Sequence, residues 1–141
     1  MATILGIDYG RRRIGVAVSD PGGRIASPLS TIEASERARA IAAIRALASE
    51  HEASEIVVGM PRSLNGSLGP MAEETLDFVE EMRGALDMPV RTWDERLTTA
   101  QAERAMISAD MTRAGRKRKL DKVAAQIMLQ SYLDNGSRKN D

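Results

Sequence analysis

The chain has 141 residues, 43% of them hydrophobic and 28% charged, which suits one folded domain with a buried core. Lys+Arg 20 against Asp+Glu 20 leaves a formal net charge of 0, excluding a bulk basic footprint for nucleic acid though not local patches. Cys is 0 and His is 1, so a disulfide framework and a Cys/His zinc site are excluded by count. No apolar run approaches the ~20 residues of a membrane helix, and the N-terminus lacks the order of a signal peptide. The expectation is a cytoplasmic protein with no membrane partner.

Residues 3–8 read as a strand, because Ile4, Leu5 and Ile7 precede a Gly/Arg turn. Residues 14–19 alternate apolar and small residues and should pair back as a hairpin. Pro21-Gly22-Gly23 marks a turn, and residues 24–31 form a third strand in which Pro28 suggests an edge or an irregularity. A helix should start near Ser35 as N-cap and run to about Ser49, with Ile41, Ile44, Leu47 and Ala48 at helical spacing. Residues 55–60 form a short buried strand, followed by a polar loop to Gly69. A second helix runs from Pro70 to about Ala85 with an apolar stripe of Ala72, Leu76, Val79, Met82 and Leu86. Residues 89–93 give the next strand, 98–108 a third helix, 109–118 a basic loop and 119–133 a last helix. Residues 1–134 thus form one domain, and 135–141 should be a disordered tail. The order β-β-β-α-β-α-β-α-α predicts a mixed sheet with helices on its faces, one three-layer α/β domain.

Three acids stand out by position. Asp8 ends the first strand. Glu95 lies just past the strand at 89–93. Asp121 falls in the first turn of the predicted last helix, where the helix dipole favours a negative charge. In α/β sheets, sites gather beyond the carboxyl ends of strands. Carboxylates on three separate elements suit Mg²⁺ or Mn²⁺, which take oxygen ligands. Two such ions ~4 Å apart can activate water and stabilise the leaving oxygen of a phosphodiester. Each acid also has a plain reading. Asp8 could shape a turn, Glu95 could pair with Arg91 or Arg96, and Asp121 could be a helix-start charge.

Phosphate contacts are expected from Arg13, Arg96 and a basic run containing Arg116, Lys117 and Lys119. The loop 61–69, with Arg62 and Asn65, opens onto the second helix, so its amides could face an anion. It is not a Walker loop, since no Gly-Lys-Ser/Thr follows. His51 reads as a surface or capping residue. Aromatics are too few for a base-stacking platform of the usual kind.

The motifs Gly6-Ile7-Asp8-Tyr9-Gly10, Arg13-Ile14-Gly15-Val16-Ala17 and Val58-Gly59-Met60-Pro61 resemble those of the YqgF (RuvX) family. So do Asn65-Gly66-Ser67, Asp94-Glu95-Arg96-Leu97-Thr98-Thr99, Leu120-Asp121 with Ala124-Ala125, and Leu129-Gln130-Ser131-Tyr132-Leu133. The likeness spans almost the whole chain in order. It implies an RNase H-like fold with a mixed five-stranded sheet and helices on both faces. It also implies a metal-dependent nuclease that matures the 5′ end of precursor 16S ribosomal RNA, related to Holliday-junction resolvases, with its acids on Asp8, Glu95 and Asp121. Thr98 departs from the serine of many members. Precursor RNA and branched DNA would use the same carboxylates, and the chain could act as a monomer or a homodimer. Two rivals stay open. One is an ATPase, since Asp8-x-Gly10 resembles a phosphate loop of actin-like enzymes, although 141 residues are too few for two lobes. The other is a non-catalytic RNA-binding module.

Overall fold

The computed structural model describes residues 3–60, 69–94 and 113–136, with side chains from residue 122 in the last stretch. Five strands form one mixed sheet: β1 (Thr3–Asp8), β2 (Arg13–Ser19), β3 (Ala26–Glu33), β4 (Ala53–Met60) and β5 (Val90–Asp94). Their spatial order is β3-β2-β1-β4-β5, so β1 is central. The first three strands pair antiparallel, and β4 pairs parallel with both β1 and β5. The carboxyl ends of β1, β4 and β5 therefore share one edge. Two crossovers enforce this, through α1 (Arg37–Glu50) and α2 (Pro70–Ala85). The expected mixed five-stranded sheet with helices on both faces is what the chain forms.

Alternation along β1 decides the layers. Leu5 and Ile7 face a core shared with Ile14, Val16, Ile56, Val58, the α1 residues Ile41 and Ile44, and the α2 residues Phe78, Val79 and Met82. Ile4 faces the other way, into a second cluster with Ala17, Val57, Ala125, Met128 and Leu129. These last three lie on α3 (Arg113–Ser131), which continues as a π-helical turn over Tyr132–Gly136.

The direction of α3 follows from its contacts. Gln130 Oε1 accepts the Ala26 amide at 2.8 Å, and the Tyr132 hydroxyl donates to Glu55 at 3.1 Å. Ala26 pairs with Ser19 and Glu55 with Ile4, so both bonds lie where β1 begins. The helix thus runs antiparallel to β1, and its N-terminal half extends toward the edge where Asp8 ends the strand. Burial, then the charge of Glu55, raises the Tyr132 pKa, so the hydroxyl stays neutral and donates.

Several local expectations change. The α1 N-cap is Glu36 rather than Ser35, and it makes no side-chain capping bond. The helix is held instead by burial of Ala40, Ile41, Ile44 and Ala48, while Leu47 is only half-buried. The buried stripe of α2 is Ala72, Thr75, Phe78, Val79 and Met82, with Leu76 half-buried. Thr75 serves there because its hydroxyl donates to the Met71 carbonyl at 2.8 Å. β3 spans Ala26–Glu33 rather than 24–31, and it is an edge strand whose register shifts where Pro28 meets Ala17. His51 caps α1 through its backbone, its amide donating to the Leu47 carbonyl at 3.0 Å. The expected helix at 98–108 lies outside the described residues. Of the expected tail, Asn135 and Gly136 belong to the π-helical turn, and 137–141 lie outside the described residues.

Candidate active site

Asp8 is half-buried at the end of the central strand, on the face that α3 covers. Its setting comes from its neighbours. Across the antiparallel ladder it stands opposite Gly15. On the other side Ile7 pairs with Val58, which puts Gly59 one step on beside Asp8. Gly59 in turn pairs with Trp93. The row across the sheet therefore reads Gly15, Asp8, Gly59, Trp93. Asp8 thus has a residue without a side chain on each side of it across the sheet, and glycine in a strand interior often marks a close approach of another group.

Two residues before Gly15, at the start of β2, Arg13 lies on the same face as Gly15, diagonal to Asp8. Asp8, Arg13 and Asp94 are each engaged with neighbouring groups. Asp94 is opposite Met60, one position beyond Trp93 and so on the other face. β5 lies two strands from β1, about 10 Å at the usual strand spacing.

The turn after Asp8 is braced against α2. The Arg11 Nε donates to both Glu74 oxygens at 3.1 Å, and Nη2 lies 3.0 Å from Oε1. That hydrogen bond, then the charge of Glu74, raises the Arg11 pKa. The Tyr9 ring packs on Phe78 with centroids 4.8 Å apart. A Cβ at Gly10 would fall 2.5 Å from the Arg13 carbonyl oxygen, so the turn closes only with glycine there. On the far side of the row, Trp93 meets Tyr132 edge-on at 5.7 Å and donates its indole N–H to Ser131 at 3.1 Å.

The other expected site residues fall differently. Glu95, Arg96, Arg62 and Asn65 lie outside the described residues. Arg116, Lys117, Lys119 and Asp121 belong to α3, with their side chains outside the described part. The basic stretch from residue 113 is thus helix rather than loop. Asp121 is the ninth residue of α3 instead of a first-turn residue, which removes the dipole argument for it. It stands two turns before Leu129, the residue that covers Gly6. Asp20 is a turn residue: its carboxylate accepts the Arg24 and Ile25 amides at 2.7 and 3.0 Å, and these amides, that of Ile25 foremost, lower its pKa.

Among the described residues no group of three or more acidic, His or Cys side chains forms a metal cluster. The one described member of the expected triad, Asp8, is a half-buried oxygen donor flanked by Gly15 and Gly59. His51 sits at the opposite end of the sheet, where its carbonyl accepts the Thr3 hydroxyl. The donor chemistry at Asp8 fits a hard divalent cation. A groove of about 440 Å³ between β3 and α1 and one of about 360 Å³ between α1 and α2 lie apart from Asp8.

The strand order, with a strand-ending aspartate under the last helix, defines an RNase H-like fold of the resolvase type. Solved structures that share it include the following two. Thermus thermophilus RuvC in complex with a Holliday junction substrate superposes with a TM-score of 0.57 at 18% identity, covering 96% of this chain and 97% of that one. The fowlpox virus Holliday junction resolvase gives 0.56 at 15% identity, covering 94% and 98%. The family model described as "RuvX: Holliday junction resolvase" matches residues 2–135, and the chain belongs to that family. Relatives named "Putative pre-16S rRNA nuclease" include one from Halothermothrix orenii, 49% identical over 93% of this chain and 94% of its own length. Another, from Thermoanaerobacter pseudethanolicus, is 44% identical over 96% and 99%.

Two features of the site escape a residue-by-residue reading. The glycine pair flanking Asp8 is visible only once register is known, although both glycines sit inside strand patterns. The Arg11–Glu74 brace joins residues 63 apart, and no local spacing signals it.

Proposed function

We propose that this chain is a metal-dependent endonuclease that hydrolyses phosphodiester bonds, cutting precursor 16S ribosomal RNA at its 5′ end in the cytoplasm. The observation that carries the reading is Asp8, a half-buried carboxylate at the end of the central strand with glycine on both flanks. The names of the near full-length relatives support the substrate.

Asp8, Glu95 and Asp121 are the residues that would hold Mg²⁺ or Mn²⁺, in a two-ion arrangement. Bound there, the cation supplies Lewis acidity, which activates water and offsets charge developing on the phosphoryl oxygens. The chain's own groups do the rest. Gly15 and Gly59 put no side chain on either flank of the Asp8 carboxylate, which favours close approach of a phosphodiester. Arg13, on the same face, offsets the charge of the backbone. Arg62, Asn65, Arg96, Arg116, Lys117 and Lys119 are proposed to extend the contact along the backbone, which carries affinity but little sequence information.

Cleavage of a branched DNA junction is the second reading, favoured by the description of the matching family model. It calls for two active sites, hence a homodimer, whereas trimming one RNA end needs only a monomer. The test is a cleavage comparison in Mn²⁺ of precursor ribosomal RNA, a four-way DNA junction and plain duplexes. Preferential cutting of the precursor RNA is expected; cutting of the junction alone would overturn the RNA assignment.

A further inference from the structure

Three consecutive arginines follow Asp8, and the fold gives them different positions. Arg11 is committed to Glu74 through three contacts of 3.0–3.1 Å. Arg13 is engaged and lies on the Asp8 face. Arg12 is exposed, and among the described residues no acid pairs with it. We propose that Arg12 binds a backbone phosphate of the nucleic acid held at Asp8. The inference rests on the nuclease reading and adds to it a residue for substrate contact.

A solvated arginine on a loop would ordinarily mean nothing. Here its backbone is held in place. The Arg12 carbonyl accepts the Ala34 amide at 3.0 Å. The turn before it is closed by Gly10 against the Arg13 carbonyl and fastened to α2 by Tyr9–Phe78 packing and Arg11–Glu74 pairing. A guanidinium on a fixed support loses less freedom on binding than one on a loose loop. Its planar fork also suits phosphate oxygens. The ladder places it too: β1 and β2 pair up to Asp8 and Gly15, and Arg12 lies in the short connection between them. An anion approaching Asp8 over the glycines therefore meets this turn at the same edge of the sheet.

Arg24 provides an internal control. It is likewise exposed, and no acid forms a salt bridge with its guanidinium among the described residues, Asp20 bonding only its backbone amide. It sits in the β2–β3 turn, however, at the end of the sheet where β1 begins. Arg12→Ala and Arg24→Ala each remove one positive charge, so a difference between them reports position rather than net charge.

The experiment measures fluorescence anisotropy of a labelled RNA duplex with a single-stranded 5′ extension, and of a labelled four-way DNA junction, across a salt series in Ca²⁺. For wild type, Arg12→Ala, Arg12→Lys and Arg24→Ala, the slope of log affinity against log salt is compared. Losing one phosphate contact lowers that slope by about 0.7–0.9, and losing a charged hydrogen bond weakens binding roughly tenfold. Arg12→Ala should show both changes on the better-bound probe. Arg12→Lys should keep the slope, and Arg24→Ala should match wild type. An unchanged slope in Arg12→Ala, or an equal drop in Arg24→Ala, overturns the assignment while leaving the nuclease reading intact. Wild-type protein that binds neither probe overturns both.

Discussion

Gly6 offers a sharp test of how α3 sits on the sheet. A Cβ built there lies 2.8 Å from the Leu129 Cβ and 3.3 Å from its Cγ and Cδ2. The nearest atom is fixed to the helix backbone, so no rotamer change of Leu129 relieves it. In Gly6→Ala, either α3 lifts or β1 bends. Overpacking of this kind costs about 1–3 kcal/mol, and a chain of this length loses about 2–4 °C of Tm per kcal/mol. Thermal unfolding followed by circular dichroism should therefore show a drop of about 2–12 °C. Because α3 also carries Asp121, cleavage should fall in the same variant at temperatures where it is folded. Leu129→Ala keeps the Cβ, so in the double variant the Gly6→Ala cost should shrink without vanishing. A Tm within about 1 °C of wild type for Gly6→Ala would refute this packing.

Three further outcomes follow from the same geometry. Phe78→Ala, which empties a fully buried site and removes the ring under Tyr9, should cost about 3–5 kcal/mol in a denaturant titration. The Arg11–Glu74 pair is exposed by 62% and 37%, so a double-mutant cycle on stability should give a coupling below about 1 kcal/mol. At Asp20 the folded carboxyl is depressed by the Ile25 and Arg24 amides, so its stabilisation is full above the unfolded carboxylate range and is lost as pH falls through the folded value. The Tm gap between wild type and Asp20→Asn should accordingly narrow as the solution is acidified, and a gap independent of pH would contradict that role.

Much of this fold is legible in the chain because the local signals agree with the tertiary demand. Branched apolar residues before Asp8, the Pro21-Gly22-Gly23 turn and Pro70 at a helix start each give the right element. Pro28 on an edge strand, at a register shift, is what a missing N–H requires. The misses have physical causes. Ser35 has the chemistry of an N-cap, yet α1 begins after Glu36, its position fixed by Ala40, Ile41 and Ile44 in the core. Phe78 falls outside the predicted stripe because Thr75, polar by composition, is buried by bonding its own helix. Residues 113–118 read as a loop from their charge and glycine, whereas α3 runs through them. Of the candidate site, the place of Asp8 at the end of β1 and of Arg13 at the start of β2 could be read from position. The glycine flanks and the Arg11–Glu74 brace depend on register and on contacts between distant segments, which no window of sequence contains.

The most direct measurement maps the 5′ ends of precursor 16S ribosomal RNA after incubation with Mg²⁺ or Mn²⁺ and either wild-type protein or Asp8→Asn. The substitution keeps the shape of the side chain and removes its charge. Wild type should generate a new 5′ end. Asp8→Asn, folded and still binding the RNA, should generate none. Equal cutting by both proteins would contradict the placement of the reaction at the end of the central strand.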